Sequence, residues 1–518
     1  MRRLPRSRSQ TAALAGVALL YAAVGAALYL GWGQRAERRR LVRLAAEQDE
    51  VLHYDFAELR LRVADPAAQE AFAADPPRVR VARDGVPVTT VAGLRELTMR
   101  RMAPGVWGAR WPVPWNAPPG EYRPELLGHE PLADRLRVAP FRVGRRRAQA
   151  SAERLVVATL ERNEPLEQMK VRRPDGTLTD WRGLLDWTQS LGADAFWMAG
   201  ASSPGEAPGE TWLAPNKEMI HEVAKECRRR GLKFGVYVLY SLTLDGANRV
   251  PGYEYALEIE GGRPVPTRAV SIRDRRRLDD AVAFLAPYAR DPNVDFVGLD
   301  YIRNALGGVE LVDDFVAEMP GVVLPDGWKG FTRDERMLWL ARKKAMRKDA
   351  AFVDAWQWWR ARRVALIVKE VKARLRDKPL WAFTLTWDKG WHHGQDPVMM
   401  NDAGVDLDAL MFYEADKAQY AQMVKDWRAY LRHGDANLVP GNIFDWNLHQ
   451  KDPAGPREFG RRLDAALDGV YADRPARAVF YHDLGRLLWG RLGPWGTKGW
   501  AEEARRVSRK VKMEEHHP

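Results

Sequence analysis

Eight short apolar runs, each closing on polar or aromatic residues, constrain this chain more than any other feature. They run from Leu155 to Leu160, Ala195 to Met198, Lys233 to Leu239, Val294 to Leu299, Leu380 to Thr386, Leu407 to Phe412, Leu438 to Phe444 and Ala478 to Tyr481. Near-continuous apolar strands of this length are covered on both faces. Between them lie stretches of helical periodicity, such as Trp181 to Leu191, Lys217 to Arg230, Arg277 to Ala289 and Phe352 to Arg376. Strand and helix in alternation mean parallel pairing with helical crossovers, and eight such units close a barrel. The expected fold class is therefore α/β, with a (β/α)8 barrel over 150–515. Pro440 and Gly441 make the seventh strand the least regular.

Ahead of the barrel the pattern shortens. Arg78 to Arg83 and Val86 to Val91 flank Asp84-Gly85, a two-residue hairpin signal, and strands separated by Pro/Gly turns continue past Tyr122. These features predict a small all-β sandwich of immunoglobulin-like type over 51–145, acting as a spacer. Arg145-Arg146-Arg147 forms the linker. Residues 34–50 read as a charged helical stalk.

Thr11 to Trp32 is uncharged and long enough to span a bilayer. With Arg2, Arg3, Arg6 and Arg8 before it, residues 1–33 read as a cytoplasmic arm and an uncleaved transmembrane signal anchor. The expected location is a bacterial cell membrane, crossed once, with the body on the periplasmic or extracellular side. The net charge of +12 suggests nucleic acid only at first sight. Nine Arg against Glu37 alone in residues 1–43 supply eight of those charges, so nucleic acid is not an expected partner. Cys227 is the single cysteine, so no internal disulfide exists and the fold must rest on its core. Twenty of the 21 Trp residues follow the apolar run. Such an excess suits a carbohydrate partner, because sugar rings stack on indoles, although core packing must use most of them.

Chemistry in such barrels gathers where the C-terminal ends of the strands meet the loops. Asp300, Asp388, Glu414, Asp445 and Asp483 each follow an apolar run there, as does Glu161. Two carboxyl groups can cleave a glycosidic bond, one protonating the leaving oxygen and the other attacking the anomeric carbon or activating water. Asp300 is the expected nucleophile or base and Glu414 the acid, with Asp388 as the substitute acid. Expected substrate contacts are Glu161, Tyr301, Arg303, Trp387, Trp391, Tyr413, Asp445, Trp446, His482 and Asp483. A rival set, Asp388, His392, His393 and Asp396, could hold a metal for hydrolysis or deacetylation. No Gly-x-Gly-x-x-Gly, Gly-Lys-Ser/Thr or Gly-x-Ser-x-Gly motif occurs, and no metal or other cofactor is expected.

The stretch Val294-Asp-Phe-Val-Gly-Leu-Asp-Tyr-Ile-Arg303 resembles the strand-four motif of glycoside-hydrolase-like barrel proteins related to family 10. Trp356-Gln-Trp-Trp-Arg-Ala-Arg-Arg-Val364, running on to Pro379, is similar to the Trp-x-x-Trp-Arg helix of that family. Asn304-Ala305 stands where the family has an aromatic-Pro pair. The resemblance spans roughly 150 to 500 and implies a carbohydrate-active barrel. The substrate would be an envelope or extracellular polysaccharide, hydrolysed or, alternatively, bound by a barrel that lacks catalysis.

Overall fold

A computed structural model describes residues 20–25, 42–128, 136–162, 164–203, 211–243, 252–303, 307–345, 349–375, 377–413, 416–448 and 453–513. Its larger part is a closed barrel of eight parallel strands. These are β1 (Leu155–Leu160), β2 (Ala195–Ser203), β3 (Lys233–Thr243), β4 (Phe296–Asp300), β5 (Leu380–Leu385), β6 (Leu407–Met411), β7 (Leu438–Ile443) and β8 (Ala478–His482). Each pairs with its neighbours in chain order, and pairing of β1 with β8 closes the ring. β2 and β3 run longer than their apolar cores predict. A hairpin, Tyr255–Glu260 with Arg263–Val270, is attached to the end of β3.

Inward-facing residues fill the barrel. Trp197 and Trp381 stack with centroids 4.2 Å apart, and Phe296, Phe383 and Tyr237 pack edge-on around them. Two indoles fit only because facing positions carry no side chain. A Cβ on Gly298 would lie 2.2 Å from the Trp381 ring, and one on Gly235 would lie 2.6 Å from Trp197. Gly441 does the same for Phe480, where a Cβ would come within 2.2 Å. The glycine that makes β7 look irregular in sequence is thus a packing requirement.

Residues 42–143 form two sheets, of five and six strands, whose buried faces share one core around Leu59, Leu61, Val81, Trp107, Trp111 and Tyr122. The expected stalk is corrected here. Val42–Ala46 is a strand between Leu136–Val138 and Phe56–Val63, with Val42 and Leu44 turned into the core. Alternate burial overrides the local run of charges. Of the rest of the stalk, 47–50 leads into the short strand Glu50–Val51, and 34–41 lies outside the described residues. So does nearly all of the apolar run from Thr11 to Trp32, of which 20–25 is helical and exposed. Among the described residues no helix is long and apolar enough to cross a membrane.

This front module is fastened to the barrel. Trp115 stacks on Trp391 at 4.1 Å and donates its indole N–H to Asp354. His53 Nδ1 lies 2.6 Å from Asp402, and Arg146 pairs with Asp406. The Trp-rich helix, Ala350–Leu375, is the common support. Trp358 donates to Val113 O, and Arg360 donates to the carbonyl of His392.

Replacing Gly298 with Ala forces a methyl into the Trp381 ring and should destabilise the protein by about 1–3 kcal/mol. Urea unfolding of Gly298→Ala, and of Gly298→Ala combined with Trp381→Leu, checks this. The second change should recover part of the loss.

Candidate active site at the barrel mouth

Inward parity carries Glu161, Tyr237, Asp300, Tyr413 and His482 to the C-terminal rim. Tyr237 shows how close they are, because the charges of Glu161, Asp300 and Asp483, together with Tyr413, reinforce the burial that raises its hydroxyl well above its ordinary value. That hydroxyl is buried and makes no hydrogen bond among the described residues. Tyr237 escapes the sequence reading because an aromatic in an apolar run looks like core.

Asp300 is 3% exposed. Its Oδ1 accepts the Tyr301 N–H at 2.6 Å and lies 3.5 Å from Arg303 Nη1. Burial raises its carboxyl, while the Arg303 guanidinium and the Tyr301 amide pull the other way. Tyr301 takes a left-handed φ of 49°, a costly conformation for a non-glycine residue. The Asp300 bond and the Ser241 N–H on the Tyr301 carbonyl hold it there. Arg303 is itself buried, lies over the Tyr301 ring at 4.1 Å, and its Nε makes no hydrogen bond among the described residues.

Glu161 is raised well above the ordinary carboxylate range, first by burial and then by the anions Asp300 and Asp483. A quarter of its side chain still meets the mouth, and His482 Nε2 lies 3.6 Å away. His482 stacks flat on Tyr413, with centroids 5.4 Å apart, and burial pushes it down to about 4, so it is neutral near pH 7. The two carboxyls therefore differ. Asp300 has a cation and an amide at hand to stabilise its anion, whereas Glu161 faces like charges and keeps its proton longer.

The other acids are committed elsewhere. Asp483 caps the helix Leu484–Trp489 through the Arg486 N–H and accepts the Glu161 N–H at 2.8 Å, so it positions Glu161. Asp445 is clamped by Arg491 at 2.6 Å and Arg486 at 3.2 Å. Asp388 is half exposed on a left-handed turn, 3.6 Å from Lys389. Glu414, the expected acid, lies outside the described residues. Trp391 is covered by Trp115, while Trp387 and Trp446 are half-buried against the core. The four expected metal ligands do not converge. Asp396 caps the helix Pro397–Ala403 and accepts from Trp391 and Tyr430, His392 is exposed, and His393 is half-buried with its ring held down to about 2 by desolvation and by Arg303. Among the described residues no three His, Cys, Asp or Glu side chains gather as a metal site.

The chain matches no protein-family model and no curated protein. Among solved structures it is similar to a β-galactosidase from the psychrophilic Marinomonas ef1, at 12% identity over 69% of this chain and 59% of that one, with a TM-score of 0.40. It is also similar to an Anoxybacillus α-amylase, at 13% identity over 70% and 79%, with a TM-score of 0.39. A third is an exo-β-1,4-mannosidase from Opitutaceae bacterium strain TAV5, at 12% identity over 71% and 62%, with a TM-score of 0.37. The chain thus spans less than two thirds of the β-galactosidase and of the mannosidase. At this level of likeness the function rests on the residues of the mouth.

A carboxyl raised by folding favours the folded state at low pH, and that contribution disappears as pH rises through its folded value. Glu161→Gln should therefore melt above the wild type at pH 8, with the gap closing toward pH 4. Thermal melts of both proteins across that range check the sign.

Proposed function

We propose that the chain hydrolyses glycosidic bonds of a polysaccharide at the barrel mouth, with Asp300 as nucleophile or base and Glu161 as the acid. The observation that carries this reading is the unequal carboxyl pair. Both groups sit at strand ends three apart around the ring, and the charge of Asp300 helps to raise Glu161. Arg303 and the Tyr301 amide favour an ionised Asp300, while burial among anions favours a protonated Glu161. This is the division of labour that glycosidic cleavage requires. Asp483 holds Glu161 through its backbone, and Tyr237 and neutral His482 supply hydrogen-bonding groups for sugar hydroxyls. Glu414 follows directly on Tyr413 and is the competing choice of acid.

The experiment is release of reducing ends by the full-length chain from a panel of bacterial and plant polysaccharides. Asp300→Asn should lower the rate by about 10²–10⁴-fold, and Glu161→Gln by a similar factor. Activity of Glu161→Gln should return on aryl glycosides whose leaving group needs no proton. Loss in Glu414→Gln with Glu161→Gln unaffected would transfer the acid role to Glu414. Binding without release by any of these proteins would identify a non-catalytic carbohydrate-binding barrel.

The proposal includes a tether. With the apolar run from Thr11 to Trp32 in a membrane, the barrel would act on an envelope or extracellular polysaccharide. Fractionation of expressing cells should place the full chain in the membrane pellet and a chain beginning at Val42 in the supernatant.

A further inference from the structure

Beside the mouth lies a second feature that the two-carboxylate reading does not use. Trp489, the last residue of the helix Leu484–Trp489, exposes 44% of its surface, although the chain buries most of its tryptophans. Its ring forms one wall of a cleft of about 450 Å³, completed by Arg162, Glu164, Pro165, Gln168, Met169 and Lys170. A larger cleft, about 760 Å³, opens at the opposite end of the barrel near Val294 and Pro379, far along the strands from Asp300.

The Trp489 cleft is built and is attached to the mouth. Arg162 directly follows Glu161, and its guanidinium lies 4.7 Å from the Trp489 ring centroid. Glu164 holds that guanidinium, with Nε to Oε2 at 2.7 Å and a second bond from Nη2 to Oε1. Gly485 leaves room for the Arg162 stem, since a Cβ there would fall 2.6 Å from Arg162 Cδ. Trp489 is held from the other side, because its helix is capped by Asp483, the residue that accepts the Glu161 N–H. An indole that lines one cleft with Gln168, Lys170 and Glu164 is the composition that receives a sugar ring. The C–H face lies on the indole, and the hydroxyls meet donors and acceptors at the edge. Among the described residues of this cleft Trp489 is the one exposed large hydrophobic side chain, too small a patch for a protein partner.

We propose that Trp489 is a stacking platform for a sugar unit of the same glycan that occupies the mouth, so that the substrate is a chain extending from Glu161 across Arg162 onto the indole. This rests on the glycan reading of the mouth, although its binding step is independent of catalysis. The consequence is selectivity for polymers and longer oligosaccharides over disaccharides, which cannot reach both places.

The test is migration of the full-length chain in native gels containing xylan, galactomannan, pullulan or mixed-linkage β-glucan, for the wild type and for Trp489→Ala, Trp489→Phe and Asp300→Asn. On the polysaccharide that retards the wild type, Trp489→Ala should bind about tenfold more weakly and Trp489→Phe within about threefold of the wild type. Asp300→Asn should be retarded like the wild type. Equal retardation of wild type and Trp489→Ala overturns the platform, as does a wild type retarded by none of the four. Trp489→Phe, with its melting temperature, keeps the test decisive should Trp489→Ala fold poorly. Weakened binding in Trp489→Ala while Asp300→Asn still releases reducing ends would refute the catalytic assignment and leave the platform standing.

Discussion

The stack of Trp197 on Trp381 inside the barrel is the contact on which the rest depends. A closed eight-strand barrel must fill its interior with side chains, and here two indoles occupy the middle where smaller aliphatic residues could have served. Their bulk demands Gly235 and Gly298 on the neighbouring strands. Since side chains alternate along a strand, placing Gly298 opposite the indole also places Asp300 one inward step higher, at the rim. The same parity carries Tyr237 and Glu161 upward on β3 and β1. The packing of the barrel and the position of its acids are therefore one arrangement.

At the rim the deciding quantity is the company each carboxyl keeps. Burial raises both Asp300 and Glu161, but Arg303 stands beside one and two anions beside the other. Arg486 and Arg303 also act on Glu161 and lower it, but less than burial and the two anions raise it, and Arg486 shares its charge with Asp445, which Arg491 also holds. Arg162, paired with Glu164, frames the Trp489 cleft instead. Backbone strain at Tyr301 fits this picture, because the left-handed turn brings the Tyr301 amide onto the Asp300 carboxyl.

Much of this was legible in one dimension. The eight apolar runs correspond to the eight strands within a few residues, and Asp300 falls at the end of β4 as its position after Leu299 implied. The Trp-rich helix around Trp356 was visible as a motif, but its use was not. Trp358 meets the front module, and Arg360 holds the loop that carries His392. Trp391 looked like a platform for sugar and is instead covered by Trp115, a residue 276 positions earlier in the chain. The stalk helix failed for a similar reason, since the Arg-rich run hid the alternation of Val42 and Leu44 that a neighbouring strand rewards.

The sequence by itself determined the elements and their order, because apolar periodicity and strand length are local properties that leave a parallel barrel as the arrangement able to bury them. It also determined that acids would collect at one end, since each follows its strand. Only the tertiary structure decided which acids face one another, which are neutralised by arginines and which tryptophans remain open. Ionisation and exposure depend on groups brought together from distant positions, such as Glu161 with Asp300 and Asp445 with Arg491, and no local pattern records those distances.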